Sequence, residues 1–237
     1  MEYLTEHVGA RVVLYIATNY GDLRTQMERG TVDIGSFSPA AYIDAAAGGK
    51  IRIIAQSIIS GSAFYTGVII VRKDSGITSL ADLKGKRFAF VDPKSASGYV
   101  YPRAMLIEKG VNPDAFFAST AFAGTHDKVI RAVLAGDADA GAIFEDALRI
   151  EQGKGQPTEL LTVVASTEPI PHDAIAVRAD LDPELTAKIQ KALTTMTESP
   201  AGRAVIARST KKLSGHVVSD DGKFDVVRRT AKIAGIK

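Results

Sequence analysis

The sequence predicts an α/β protein, because short apolar runs rich in Val, Ile and Ala recur along its 237 residues and helix-patterned segments fill many of the gaps. Turn signals such as Asn112-Pro113-Asp114 and Gly136-Asp137 separate the two kinds of segment. Alternation of this sort argues for mostly parallel sheets, since parallel neighbours need a crossover between them.

In chain order, Met1–Ala10 (MEYLTEHVGA) lacks the basic and apolar regions of a signal peptide. Arg11–Ala17 (RVVLYIA) has strand composition, Leu23–Glu28 reads as a helix, and Val32–Ser36 reads as a strand. Ser38-Pro39 supplies an N-cap and a first-turn proline for a helix over Pro39–Ala46. Strands follow at Ile51–Gln56, Gly67–Arg72 and Arg87–Val91. Proline is tolerated only near the first turn of a helix, so Pro102 sets the start of a helix ending near Lys109 close to Gly98. Ser119–Ala123 is the next strand, and Lys128–Leu134 is a helix stopped by Gly136-Asp137. Strands Ala140–Ile143, Leu161–Val164 and Ala174–Val177 and helices Pro183–Thr197 and Asp225–Ala234 complete the pattern.

At 46% hydrophobic and 24% charged residues, the chain can bury one large core or two modest ones. A formal charge of +2 without a basic stripe, and no tryptophan, argues against nucleic acid as a partner. Zero cysteines exclude disulfides, thiolate metal sites and a cysteine nucleophile. No apolar run has the length of a membrane span. His7, His126, His172 and His216 are far apart and show no metal-ligand spacing, so no metal or cofactor is expected. Asp44 and Ile51 replace the first glycine and the Ser/Thr of a phosphate loop around Gly49-Lys50. With no G-x-S-x-G elbow, an enzyme is not expected.

Ser95-Ala96-Ser97-Gly98-Tyr99 lies between the strand ending at Val91 and the helix containing Pro102. A serine-rich turn entering a helix brings unpaired N–H groups, hydroxyls and the positive end of the helix dipole to one point, an anion pocket. Ordinary N-capping by Ser95 or Ser97 is the alternative.

Around that turn, DSGITSLADLKGKRFAFVDPKSASGYVYP (Asp74–Pro102), GVNPDAFF (Gly110–Phe117) and GTHDKVIRAVLAGDADAGAIFEDAL (Gly124–Leu148) resemble the phosphonate/phosphite-binding proteins of ABC importers. NYGDLRTQMERGTVDIGSFSPAAYIDA (Asn19–Ala45) and FDVVRRTAKIAGI (Phe224–Ile236) are also similar to that PhnD-like family. The resemblance implies a two-lobe type II periplasmic-binding fold, each lobe a mostly parallel sheet flanked by helices. Lobe one would comprise residues 1–66 and 177–237, and lobe two residues 67–176, with ligand held in the cleft. It also implies a strand and helix before Glu2-Tyr3-Leu4, which this sequence lacks.

Residue by residue, the resemblance assigns the anion to Ser95, Ala96, Ser97 and Gly98, with Ala96 where the family often has threonine and Gly98 allowing close backbone approach. His126 matches an anion-contacting histidine, expected as an imidazolium, and Asp127 reads as a helix-start residue. Tyr20 and Tyr65 match ligand tyrosines, although tyrosines also cap sheets with a wet hydroxyl; Ser38-Pro39 is a second helix mouth. Glu145 and Asp173 match acids that hold the ammonium of an aminoalkylphosphonate, with solvated helix-start residues as the alternative. The expected protein is a periplasmic or extracytoplasmic solute-binding component, a monomer or weak dimer, that hands a small organophosphonate to a membrane permease. The alternatives are a ligand-sensing domain of a receptor or regulator and a binder of phosphite or phosphate.

Overall fold

The structure, a computed structural model, describes residues 2–208 and 212–236. Helices α1 (Glu2–Val8) and α2 (Tyr20–Glu28) precede strand β1 (Ile34–Phe37), helix α3 (Pro39–Ala46) and strand β2 (Ile51–Ile59). The short β3 (Phe64–Tyr65) leads into β4 (Gly67–Arg72) and β5 (Arg87–Phe90). Next come α4 (Tyr101–Glu108), α5 (Pro113–Phe116), β6 (Ser119–Phe122), α6 (His126–Ala135), β7 (Ala140–Phe144) and α7 (Ala147–Gln152). Strands β8 (Leu161–Ser166), β9 (Ile170–Pro171) and β10 (Ala174–Arg178) are followed by α8 (Pro183–Thr194), α9 (Pro200–Ala207), β11 (Leu213–Val218) and α10 (Asp225–Ile233).

The chain divides into two compact units, Met1–Phe64 with Pro171–Val226, and Tyr65–Ile170 with Val227–Lys237. The family resemblance implies a different division, with 177–237 in lobe one. The stretch from Val227 joins the second unit because Arg103 of α4 donates from Nε to the Ala234 carbonyl at 2.8 Å.

In the first unit the sheet order is β1-β10-β2-β11. Tyr3 and Val8 of α1 and Ile189, Ala192 and Leu193 of α8 form a core with Ile54, Ala55, Ile175 and Val177. Asp182 caps α8 by accepting from Leu185 N at 2.8 Å. On β1, a Cβ at Gly35 would lie 2.9 Å from Leu23 Cδ2 and 3.0 Å from Met27 Sδ, so glycine lets α2 pack directly on the strand.

In the second unit the order is β6-β5-β7-β4-β8. Ile69, Val71, Phe88, Phe90, Ala140 and Ala142 cluster with Met105 of α4. Gly141 admits α6, since a Cβ there would meet Val129 Cγ1 at 2.4 Å. The glycine and aspartates of the GDADAG stretch therefore serve the fold: Gly136 closes α6 in a left-handed conformation, and Asp139 takes paired bonds from Arg87, including Nη2 to Oδ1 at 2.7 Å.

Mostly parallel sheets are not what forms. In the first unit β10 is antiparallel to both β1 and β2, and β11 is antiparallel to β2. In the second, β5 pairs in parallel with β6 and β7, but β4 is antiparallel to β7 and β8. The cause is topological. β4 opens the second unit and runs against β7 and β8, and β10, on which the chain returns to the first unit, runs against β1 and β2. β1 and β2, joined through α3, do run the same way, with β10 inserted between them.

Arg11–Ala17 forms no strand. Val13, Leu14 and Ile16 are 71%, 64% and 77% exposed, and among the described residues no strand pairs with this stretch, so its β-branched composition has no ladder to join.

Candidate functional site

Three βα connections of the second unit define the site. β5, β6 and β7 are parallel neighbours, so their carboxyl ends lie along one edge of the sheet. The serine turn follows β5, His126 follows β6 and Glu145 follows β7. β4 runs the opposite way beside β7, which brings Tyr65 and Thr66, immediately before it, to the same edge. Open α/β sheets bind ligands at this edge because helix N-termini and loops converge there.

Ser95 caps a π-helical turn over Ala96–Val100 that runs on into α4. Its hydroxyl oxygen accepts from Gly98 N at 3.1 Å, and the Ser95 carbonyl accepts from Val100 N at 3.1 Å in the i to i−5 pattern. A π turn bonds one residue later than an α turn and so lengthens the run of amides without an intrahelical acceptor. The accepting role of Ser95 leaves its O–H to donate elsewhere. Ser95 and Ser97 are each 2% exposed, so the turn is packed rather than fraying. Gly98 has an internal reason to be glycine: a Cβ would stand 2.4 Å from Val91 Cγ2 and 2.8 Å from Ser95 Oγ. Gly67 of β4 is likewise needed beside the turn, where a Cβ would lie 3.0 Å from the Ser97 carbonyl oxygen.

His126 is the first residue of α6, after Thr125 as N-cap. Phe144 N donates to its Nδ1 at 3.3 Å, and the Phe144 ring stands edge-on to the imidazole at 4.7 Å. An imidazolium carries a proton on both nitrogens and cannot accept that bond. That bond fits the Nε2–H tautomer, which leaves Nε2–H as the donor. Asp127 behaves as a helix-start residue: the Thr125 hydroxyl, then Arg131, hold its carboxyl below the usual range.

Glu145 is exposed and sits one residue past β7. Its amide donates to the Thr66 carbonyl at 3.1 Å, and the Thr66 hydroxyl donates to its Oε2. Tyr65 is half-buried in β3. Thr66 was not singled out in the sequence, where a lone threonine before a strand carries no signal.

Two expected residues belong to the first unit. Tyr20 opens α2 after the Asn19 cap, whose Oδ1 accepts from Gly21 N and Asp22 N at 3.0 Å. Asp173, half-buried, immediately precedes β10, and its carbonyl accepts from Ser57 N at 3.0 Å. Since Ala174 pairs with Phe37 and Gln56, Asp173 lies toward the carboxyl ends of β1 and β2, as does Ser38 at the N-cap of α3.

Among the described residues no cluster of His, Cys, Asp and Glu could hold a metal ion, and no helix is long and apolar enough to cross a membrane.

A family model described as "ABC transporter, phosphonate, periplasmic substrate-binding protein" matches residues 1–223. The phosphate-import protein PhnD of Mycolicibacterium smegmatis is 34% identical over 203 residues, which cover 80% of this chain and 63% of that protein. The phosphonates-binding periplasmic protein of Escherichia coli is 28% identical over 217 residues, covering 88% of this chain and 63% of that protein. The chain thus spans less than two thirds of the length of either relative. A binding protein component of an ABC phosphonate transporter from Pseudomonas aeruginosa matches with a TM-score of 0.89 at 24% identity, over 99% of this chain and 79% of that one, and so shares its fold.

Proposed function

The chain belongs to the periplasmic substrate-binding proteins of phosphonate ABC transporters and has their type II periplasmic-binding fold, and on that premise we propose that it captures a small organophosphonate, specifically an aminoalkylphosphonate, outside the cytoplasm and delivers it to a membrane permease by closure of its lobes. The observation that carries the reading is the convergence of the serine turn, His126 and Glu145 on one carboxyl edge of parallel strands. Amides and hydroxyls at Ser95–Gly98 suit the phosphonate oxygens, because they donate from a helix N-terminus without adding full charge. The Nε2–H of His126 is a further neutral donor. Glu145 beside such an anion site is unfavourable for a ligand that is only an anion, and favourable for a zwitterion whose ammonium meets the carboxylate. By the family resemblance, the Tyr65 hydroxyl is a further proposed ligand contact in this unit, and Tyr20 and Asp173 are the proposed ligand residues of the first unit. This family is a binding component of transport rather than an enzyme, and the roles assigned to the chain's residues require no bond making or breaking.

A phosphate-type ligand is the second reading, favoured by the exposure of Glu145 and by the phosphate-import relative. Calorimetric titration with 2-aminoethylphosphonate, ethylphosphonate and phosphate separates them. A carboxylate that ligand binding desolvates without an ammonium beside it costs about 1–3 kcal/mol, so on the aminoalkyl reading the amino ligand should bind about ten- to a hundredfold more tightly than ethylphosphonate. Equal affinity for those two overturns the aminoalkyl assignment, and tightest binding of phosphate establishes the oxyanion reading.

A further inference from the structure

Thr66 and Glu145 extend the antiparallel ladder of β4 and β7 by one pair beyond the register Gly67 to Phe144. Directly opposed residues share a face of the sheet, and here they bond twice: Glu145 N–H to the Thr66 carbonyl at 3.1 Å, and Thr66 O–H to Glu145 Oε2. A glutamate side chain has three rotatable bonds, and at an exposed position nothing but a local partner fixes its carboxylate. Thr66 is β-branched, with few accessible rotamers, and its backbone is pinned on both sides of the pair. Next to it, Gly67 N donates to Thr167 Oγ1 at 2.9 Å and Thr167 N donates to the Gly67 carbonyl at 2.8 Å, so the strand carrying Thr66 is held independently of Glu145.

We propose that Thr66 is a positioning residue that sets ligand preference by orienting the Glu145 carboxylate toward the ammonium of the bound ligand. This rests on the reading that Glu145 meets that ammonium. In this proposal Thr66 acts through Glu145 alone and does not itself hold the phosphonate. Its effect falls only on ligands that carry a cation, whereas a merely structural role would weaken every ligand alike.

The test is calorimetry on the full chain with 2-aminoethylphosphonate and ethylphosphonate, for wild type, Thr66→Val and Thr66→Ser. Thr66→Val keeps the shape but loses the donor. Removing one intramolecular hydrogen bond corresponds to roughly a three- to tenfold change. The ratio of affinities should fall by that factor in Thr66→Val through loss of the amino ligand alone, and Thr66→Ser should restore it. In a Glu145→Gln background, Thr66→Val should leave the ratio unchanged, and Thr66→Ala, which also removes the donor, repeats the test if the valine variant folds poorly. A wild-type preference that Thr66→Val leaves intact, or an equal loss for both ligands, overturns the role of Thr66 while the Glu145 reading stands. A wild type with no preference overturns the Glu145 reading, and the inference with it.

Discussion

His126 shows how one backbone amide can decide the chemistry of a side chain. The Phe144 N–H donates to Nδ1, an arrangement that favours the proton on Nε2 and makes the ring a neutral donor. Nitrogen-15 NMR of the imidazole at neutral pH should show an unprotonated Nδ1 and a protonated Nε2. A ring protonated at Nδ1 would sink this assignment. His126→Gln, which retains a donor, should keep affinity for 2-aminoethylphosphonate closer to wild type than His126→Leu, whose loss of a charge-assisted bond amounts to about ten- to a hundredfold. Ser95–Gly98, His126 and Glu145 each follow an apolar strand and open a helix or turn, a pattern the sequence displays, whereas Tyr65 precedes its strand and was singled out by the family resemblance alone. The partners of His126 and Glu145 were not legible. The Phe144 amide is eighteen positions from His126 and Thr66 is seventy-nine from Glu145; the first pair meets through packing of α6 on β7 and the second through pairing of β4 with β7.

The β5 to α4 connection places the serine turn through close packing. Val91 N donates to the Gly98 carbonyl at 3.1 Å, Gly124 N donates to the Val91 carbonyl at 2.7 Å, and Gly98 stands too near Val91 for any side chain. Gly98→Ala forces a Cβ into a packed core, an overpacking that costs about 1–3 kcal/mol and should lower the melting temperature by roughly 2–12 °C for a chain of this size. Unchanged melting and unchanged phosphonate affinity together would show that the turn relaxes freely and is not a preformed site. Strands such as Gly67–Arg72 and Ala174–Arg178 were readable from dense β-branched and alanine composition. β3 and β9 are two residues each, too short for periodicity to register. The π turn was hidden for a different reason: its bonding differs from an α turn by one residue, and no residue type marks it.

For the whole molecule, alternation of strands and helices gave the α/β class, but strand direction depends on which unit a strand enters. The resemblance places the two crossing strands near Gly67–Arg72 and Ile170–Arg178, but their direction against their neighbours is not legible in their composition. The same inversion brings Tyr65 and Thr66 to the carboxyl edge where the serine turn, His126 and Glu145 gather, so fold and site share one cause. We propose that the serine turn grips the ligand's anion at this edge. Calorimetric titration of 2-aminoethylphosphonate into wild type and Ser97→Ala, with equal thermal melting as the check on folding, addresses it most directly. A hydrogen bond to a charged group is worth roughly 1.5–3 kcal/mol, so Ser97→Ala should bind about ten- to a hundredfold more weakly. An affinity unchanged from wild type would place the anion elsewhere and contradict the account.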